Sequence, residues 1–342
     1  MKHERRHTDL VVILCLAHCL ANPSAAVATE PEAQTTRAAD EKAVKLIKTT
    51  ITYREVEGHK ILADVHRSAG DEIKPVIVWF HGGALINGHR EGISSQILNL
   101  AREKDYAVVS FDYRLAPETK LPDIISDLEA AFRWLAGDGA KQFHLDPNRM
   151  VVSGGSAGGY LTFVSGYRAR PRPKALVPFW GYGNLTDDWL VKPSPHPRHN
   201  PRKMSAEDAM KQTDGTVISD SRRRKGQGGV IYQYYRQRGI WTKMVSGFDP
   251  ETEAEKIAPF EPVRNVDEHY PPTLMIHGTA DTDVPHDQSV QMVERFKQHN
   301  IPHQLISIAN GEHGLGGGNR DEIAAAYRQA REFIIRALED TP

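Results

Sequence analysis

The chain has 342 residues, with 43 Lys and Arg against 44 Asp and Glu and a formal net charge of −1. That balance lacks the basic excess of nucleic-acid-binding proteins, so no nucleic-acid partner is expected. Hydrophobic residues make up 39%, with 10 Phe, 11 Tyr and 5 Trp, enough apolar material for a sizeable core and against wholesale disorder.

The N-terminus reads as a signal peptide over 1–28. Lys2, Arg5 and Arg6 give a positive start, and Leu10 to Ala21 is an apolar run too short to span a bilayer. Asn22-Pro23 then breaks any helix, and Ala26-Val27-Ala28 offers a small-x-small cleavage site. The expectation is export to the periplasm or beyond, with no integral membrane segment after cleavage. Both cysteines, Cys15 and Cys19, lie inside this segment, so the processed protein would have no disulfide, thiol nucleophile or thiolate metal site. A lipid anchor is not expected, because bulky His18 stands before Cys19 where a small residue is required.

Residues 29–48, rich in Ala, Thr and Glu, read as a flexible lead-in with a short helix near Lys42 to Ile47. Strands at Thr49 to Glu55 and Ile61 to His66, separated by Glu57-Gly58-His59-Lys60, suggest a hairpin. Apolar runs at Pro75 to Phe80, Ala107 to Phe111, Met150 to Ser153, Ala175 to Phe179, Thr273 to Ile276 and Gln304 to Ile308 predict further strands. Between them, helices are predicted over 92–104, 122–135, 157–168, 287–299 and 321–338. In the second, Ile124, Leu128, Ala131, Phe132 and Leu135 form one apolar face. Alternating strands and helices imply an α/β domain over 49–340 with a mostly parallel sheet and helices on both faces. The polar, Pro-rich stretch 181–263 breaks the rhythm and reads as a cap-like insertion, too long for a simple loop.

Gly154-Gly155-Ser156-Ala157-Gly158 follows one predicted strand and opens a helix. A serine on so tight a turn projects its oxygen away from the backbone, and only small neighbours fit. His81-Gly82-Gly83-Ala84 follows the strand Pro75 to Phe80. A Gly-Gly turn allows backbone N–H groups to approach a developing oxyanion, with the Ala157 N–H as a further donor. His81 reads as a turn-holding residue and not a proton carrier.

With Asp112-Tyr113-Arg114-Leu115-Ala116-Pro117-Glu118 and Asp146-Pro147-Asn148-Arg149, these motifs resemble the α/β-hydrolase fold. More narrowly, the set resembles the hormone-sensitive-lipase-like carboxylesterases and bacterial feruloyl-esterase-domain proteins. The resemblance spans Thr49 to Leu338, except 181–263. It implies an eight-stranded sheet, no cofactor or metal, and an oxyanion hole from Gly82, Gly83, Ala84 and Ala157, with Ala84 standing where the family has a third glycine. It also implies a serine nucleophile, Ser156, followed in the chain by an acid and a histidine. Asp281 in His277-Gly278-Thr279-Ala280-Asp281-Thr282-Asp283-Val284-Pro285 matches the family spacing. Asp283 is the alternative acid, or a cap for the helix near Asp287. His313, in Asn310-Gly311-Glu312-His313-Gly314 after the last strand, is the expected base, and Glu312 is read as shaping that loop.

Trp180 and Tyr182, just past a core strand, are candidate pocket residues, with ordinary aromatic packing as the alternative. His196, His199 and the run Arg222 to Lys225 read as a solvated loop and not as a metal or anion site. The expectation is a serine esterase acting on short-chain esters, with a small-molecule or oligosaccharide-linked substrate. An amidase, peptidase or arylformamidase on the same fold, or a non-catalytic binding member, are the rivals. Oligomeric state is not legible.

Overall fold

A computed structural model describes residues 43–339. The expected signal peptide over 1–28 and most of the expected lead-in lie outside the described residues. Glu57 and Gly58 have φ of 51° and 81°, the two-residue turn whose twist suits flanking antiparallel strands. It joins β1 (Ile47–Val56) to β2 (His59–Arg67). The expected helix ending at Ile47 does not form in its described part. Residues 43–46 are irregular, and Ile47 already pairs with Arg67. The Val44 N–H donates to Arg102 O at 2.8 Å, so this stretch satisfies its backbone by extending.

The remaining strands are β3 (Lys74–Phe80), β4 (Ala107–Phe111), β5 (Leu145–Gly155), β6 (Ala175–Phe179), β7 (Thr273–Gly278) and β8 (His303–Ile308). They form one eight-stranded sheet in the order β1-β2-β4-β3-β5-β6-β7-β8, parallel from β4 to β8. The fold is the expected α/β sheet. β5 starts earlier than expected because Leu145 and Asp146 pair with Lys74 and Pro75 before a register shift brings Met150 opposite Val76. The first helix starts at Ser95 and not at Gly92. The Ser94 hydroxyl caps it by accepting the Gln96 N–H at 3.2 Å, while the Gly92 N–H closes a turn onto His89 O.

Every residue of β3 is buried, and the period of two splits them between two cores. Val76, Val78 and Phe80 pack with helices Leu121–Trp134 and Ala157–Arg168. Ile77 and Trp79 pack on the other face with helices Ser95–Lys104 and Arg320–Glu339. Full burial of each such side chain is worth on the order of 1.5–3 kcal/mol. Residues 181–263 contain only short helices, the longest being Gly229–Arg238. Their Leu185, Ile231, Tyr235 and Trp241 are buried in the same core as Val76 and Phe80. Among the described residues, no helix is long and apolar enough to cross a membrane. Because β5, β7 and β8 run parallel, the turns that follow them emerge along one edge of the sheet.

Candidate active site

Ser156 stands at the end of β5 with φ 58° and ψ −119°, a backbone strained for an L-residue, and opens the helix Ala157–Arg168. Its neighbours show why the turn needs glycine. A Cβ on Gly158 would lie 2.0 Å from Phe80 O, and one on Gly154 would lie 2.5 Å from the same oxygen. The turn therefore sits directly against the end of β3. The Ser156 N–H donates to Phe179 O at 3.0 Å, which ties it to β6 as well.

Ser156 Oγ lies 3.0 Å from His313 Nε2, and His313 Nδ1 lies 2.7 Å from Asp281 Oδ2. The three residues come from the loops after β5, β8 and β7. Asp281 Oδ1 accepts the N–H groups of Asp283 and Val284, each at 2.9 Å. His277 Nε2 stands 3.3 Å from Asp281 Oδ2. Burial alone would raise the Asp281 pKa, but hydrogen bonds from His277 and His313 outweigh it and hold the carboxyl at about 2. Burial pushes His313 down, yet the charge of Asp283 and the bond to Asp281 leave its pKa raised. The imidazole is thus oriented by one carboxylate and made more basic by two.

Glu312 accepts the His313 N–H at 2.8 Å, meets the Thr282 hydroxyl and pairs with Arg198 at 2.8 Å. It ties the His313 loop to the Asp281 loop, as expected of a shaping residue. Asp283 does not cap the following helix. Its Oδ1 turns toward the insertion, accepting from His199 Nε2 at 2.7 Å and from the Tyr232 hydroxyl, with Arg236 Nη1 at 3.5 Å. Its Oδ2 lies 3.7 Å from His313 Nε2. Burial would raise the Asp283 pKa, but the charge of His313, the hydrogen bond from His199 and the charge of Arg198 drive it well down.

Gly82 abuts the serine, since a Cβ there would lie 3.4 Å from Ser156 Cβ and 2.9 Å from Gly155 O. Gly83 O accepts the N–H groups of Ile86 and Asn87 at 2.9 and 2.7 Å, closing the loop. Ala84 and Leu85 follow at φ 56° and 60°. Alanine thus enters the left-handed region where the family's third glycine would do so freely. Among the described residues, the N–H groups of Gly82, Gly83, Ala84 and Ala157 have no protein acceptor. His81 stacks on Tyr113 with ring centroids 4.2 Å apart, and its Nδ1 lies 2.8 Å from Gly82 O. Burial lowers its pKa to about 4, which keeps it a neutral holder of the turn. Below it, buried Asp112 and Asp64 grip Arg90 at 2.8 and 2.9 Å.

Trp180 lies edge-on to His313, with centroids 6.2 Å apart. Tyr182 is buried, stacked on Tyr160 at 5.0 Å and edge-on to Trp189 and Trp241. The insertion departs from the solvated loop expected. His199 is buried between Ser194 Oγ and Asp283, each 2.7 Å away. Arg224 is buried too, donating to Ile86 O at 2.7 Å and Ala116 O at 3.0 Å and pairing with Glu118. Both corrections have one cause: a loop that docks on a sheet edge must satisfy carbonyls and carboxylates there, and its charged side chains do so. Arg222 and Arg223 remain exposed, and His196 is half-buried. His196 borders an open cavity of about 350 Å³ with Trp189, Ser194, Arg236, Thr282 and Pro285; Ser156 is not part of its wall. Among the described residues, no group of three His, Cys, Asp or Glu side chains is placed to hold a metal ion.

A nearly parallel sheet, a strained serine turn after β5 and loops that bring a histidine and a carboxylate to it define an α/β hydrolase. The chain belongs to the α/β-hydrolase fold family, which matches residues 77–316. It is similar to the carboxylic ester hydrolase LipN of Mycobacterium tuberculosis, 28% identical over 240 residues that make up 65% of this chain and 57% of LipN. The chain thus spans little more than half the length of that relative. Among solved structures, a Staphylococcus aureus protein described as of unknown function superposes with a TM-score of 0.68 at 23% identity, covering 85% of this chain and 99% of that one. Carboxyl esterase 2 from Tuber melanosporum gives 0.61 at 20% identity, covering 87% and 90%. At those identities the likeness is one of fold.

Proposed function

We propose that the chain is a serine carboxylesterase that hydrolyses short-chain esters through Ser156, His313 and Asp281. The observation that carries this is the unbroken chain Ser156 Oγ–His313 Nε2, 3.0 Å, and His313 Nδ1–Asp281 Oδ2, 2.7 Å. His313 Nε2 takes the Ser156 hydroxyl proton as Oγ bonds to the ester carbonyl carbon. The carbonyl oxygen becomes an oxyanion facing the unsatisfied N–H groups of Gly82 to Ala84 and Ala157. On collapse, the carbon–oxygen bond to the alcohol breaks and the imidazolium returns its proton to the leaving oxygen. An acyl-Ser156 remains, and water repeats the sequence to release the acid. Asp281 stays ionised throughout and holds the imidazole's tautomer.

LipN is named a carboxylic ester hydrolase, which favours an ester over the amide rivals. The neighbourhood favours a small acyl group, since Trp180 stands against His313 and residues 181–263 bring His199, Tyr232 and Arg236 onto Asp283 beside it. The reading of residues 1–28 adds that the enzyme acts outside the cytoplasm. The test is a serine-directed organophosphate followed by mass spectrometry, with p-nitrophenyl acetate, butyrate and palmitate as substrates. The adduct is expected on Ser156, with acetate or butyrate preferred. An adduct elsewhere, or activity retained in Ser156→Ala, removes the mechanism; a preference for palmitate removes only the small pocket.

A further inference from the structure

Asp283 is a carboxylate that the triad leaves unused, yet it faces the reacting atoms. Among the described residues its hydrogen bonds fall on one oxygen: Oδ1 takes those of His199, Tyr232 and Arg236. Among the described residues Oδ2 accepts none. His313 Nε2 lies 3.7 Å and Arg198 Nη2 3.8 Å from Oδ2. The side chain keeps 13% exposure. His313 Nε2 must also protonate the departing alcohol oxygen, so that oxygen has to come within hydrogen-bond reach of the same nitrogen. The alcohol side of the ester therefore passes beside Oδ2.

We propose that Asp283 is a specificity-determining residue that accepts a hydrogen bond from a free hydroxyl neighbouring the ester oxygen, so that the preferred substrates are partial esters of vicinal polyols. The inference rests on the catalytic reading of Ser156 and His313. In a gauche diol the two oxygens are about 3 Å apart, which matches the step from a leaving oxygen beside Nε2 to an acceptor beside it. Oδ2 can only accept, since His313, His199 and Arg198 hold the carboxylate ionised against the effect of burial. An ether oxygen in the same place offers no proton and leaves Oδ2 without a hydrogen bond. The insertion supplies what fixes the group: His199, Tyr232 and Arg236 all lie in it, and all grip Oδ1. Its docking thereby leaves the other oxygen toward the substrate.

The test compares kcat/KM for 2-hydroxyethyl acetate and 2-methoxyethyl acetate, in which a methyl group replaces the hydroxyl proton. A hydrogen bond to a charged acceptor predicts roughly ten-fold or more in favour of the hydroxyl ester. In Asp283→Asn the amide oxygen is drawn to the donors at Oδ1, which places NH2 where Oδ2 stood. The ratio should then fall to about one, or invert in favour of the ether. The ratio cancels whatever the substitution does to the chemistry common to both esters. A wild-type ratio within two-fold overturns the inference without any variant, as does an undiminished ratio in folded Asp283→Asn. Ser156→Ala separates the two levels: hydrolysis that survives it refutes the catalytic reading, whereas hydrolysis lost with a wild-type ratio of one refutes only the role of Asp283.

Discussion

Asp281→Asn tests how the base is held. In the protein, Asp281 Oδ1 accepts two backbone N–H groups at 2.9 Å, and Oδ2 receives His313 Nδ1 at 2.7 Å. An asparagine keeps one acceptor and gains two donors. Turning its NH2 toward the backbone would set it against the N–H groups of both Asp283 and Val284. The amide oxygen therefore stays at Oδ1, and NH2 takes the place of Oδ2. His313 can satisfy that donor only by accepting at Nδ1, which moves its own proton to Nε2. Nε2 then points a hydrogen at Ser156 Oγ and cannot remove its proton. The loss in kcat should be on the order of 10³–10⁴-fold near pH 7, about 4–5.5 kcal/mol of barrier. Stopped-flow or steady-state hydrolysis of p-nitrophenyl acetate measures it, with circular dichroism to show the fold is kept. A loss below about ten-fold, or a larger loss from Asp283→Asn, would refute the assignment of the acid.

The acidic limb of kcat/KM should lie above the ordinary imidazole value of about 6.5, because neutral His313 is the base and its pKa is raised by Asp283 and Asp281 against the effect of burial and Arg198. Asp283→Asn removes one of those charges and should move the limb to lower pH; a pH–rate profile that stays put or moves upward contradicts this. Gly158→Ala sets a Cβ 2.0 Å from the Phe80 carbonyl oxygen and should prevent native folding or lower stability by several kcal/mol, whereas Gly137→Ala, with open space around it, should be neutral or stabilising by up to about 1 kcal/mol. Thermal melts of the pair decide, and equal tolerance would mean the serine turn does not press on β3. Arg224→Met should cost about 3–5 kcal/mol by leaving Glu118 buried without its cation, and adding Glu118→Gln should recover part of it. Purely additive losses in denaturant titrations would exclude the coupling.

The sequence by itself determined the sheet and the serine turn. Continuous apolar runs such as Val76 to Phe80 can only be buried on both faces, and Gly154, Gly155 and Gly158 leave Ser156 a single kind of turn. It also singled out Asp281, by the family's spacing, and His313, by its place after the last strand and its flanking glycines. Those signals are local, carried by residues within a few positions of one another. The contacts of Asp283, His199 and Arg224 were decided only by tertiary structure. Asp283 and His199 are 84 positions apart, and Arg224 and Glu118 are 106 apart, so no periodicity links them. A histidine or arginine in a polar, Pro-rich stretch carries the same local signal whether it is solvated or docked. What separates the two outcomes is the set of unsatisfied carbonyls and carboxylates that the folded sheet edge presents, and that set does not exist until the distant strands have paired.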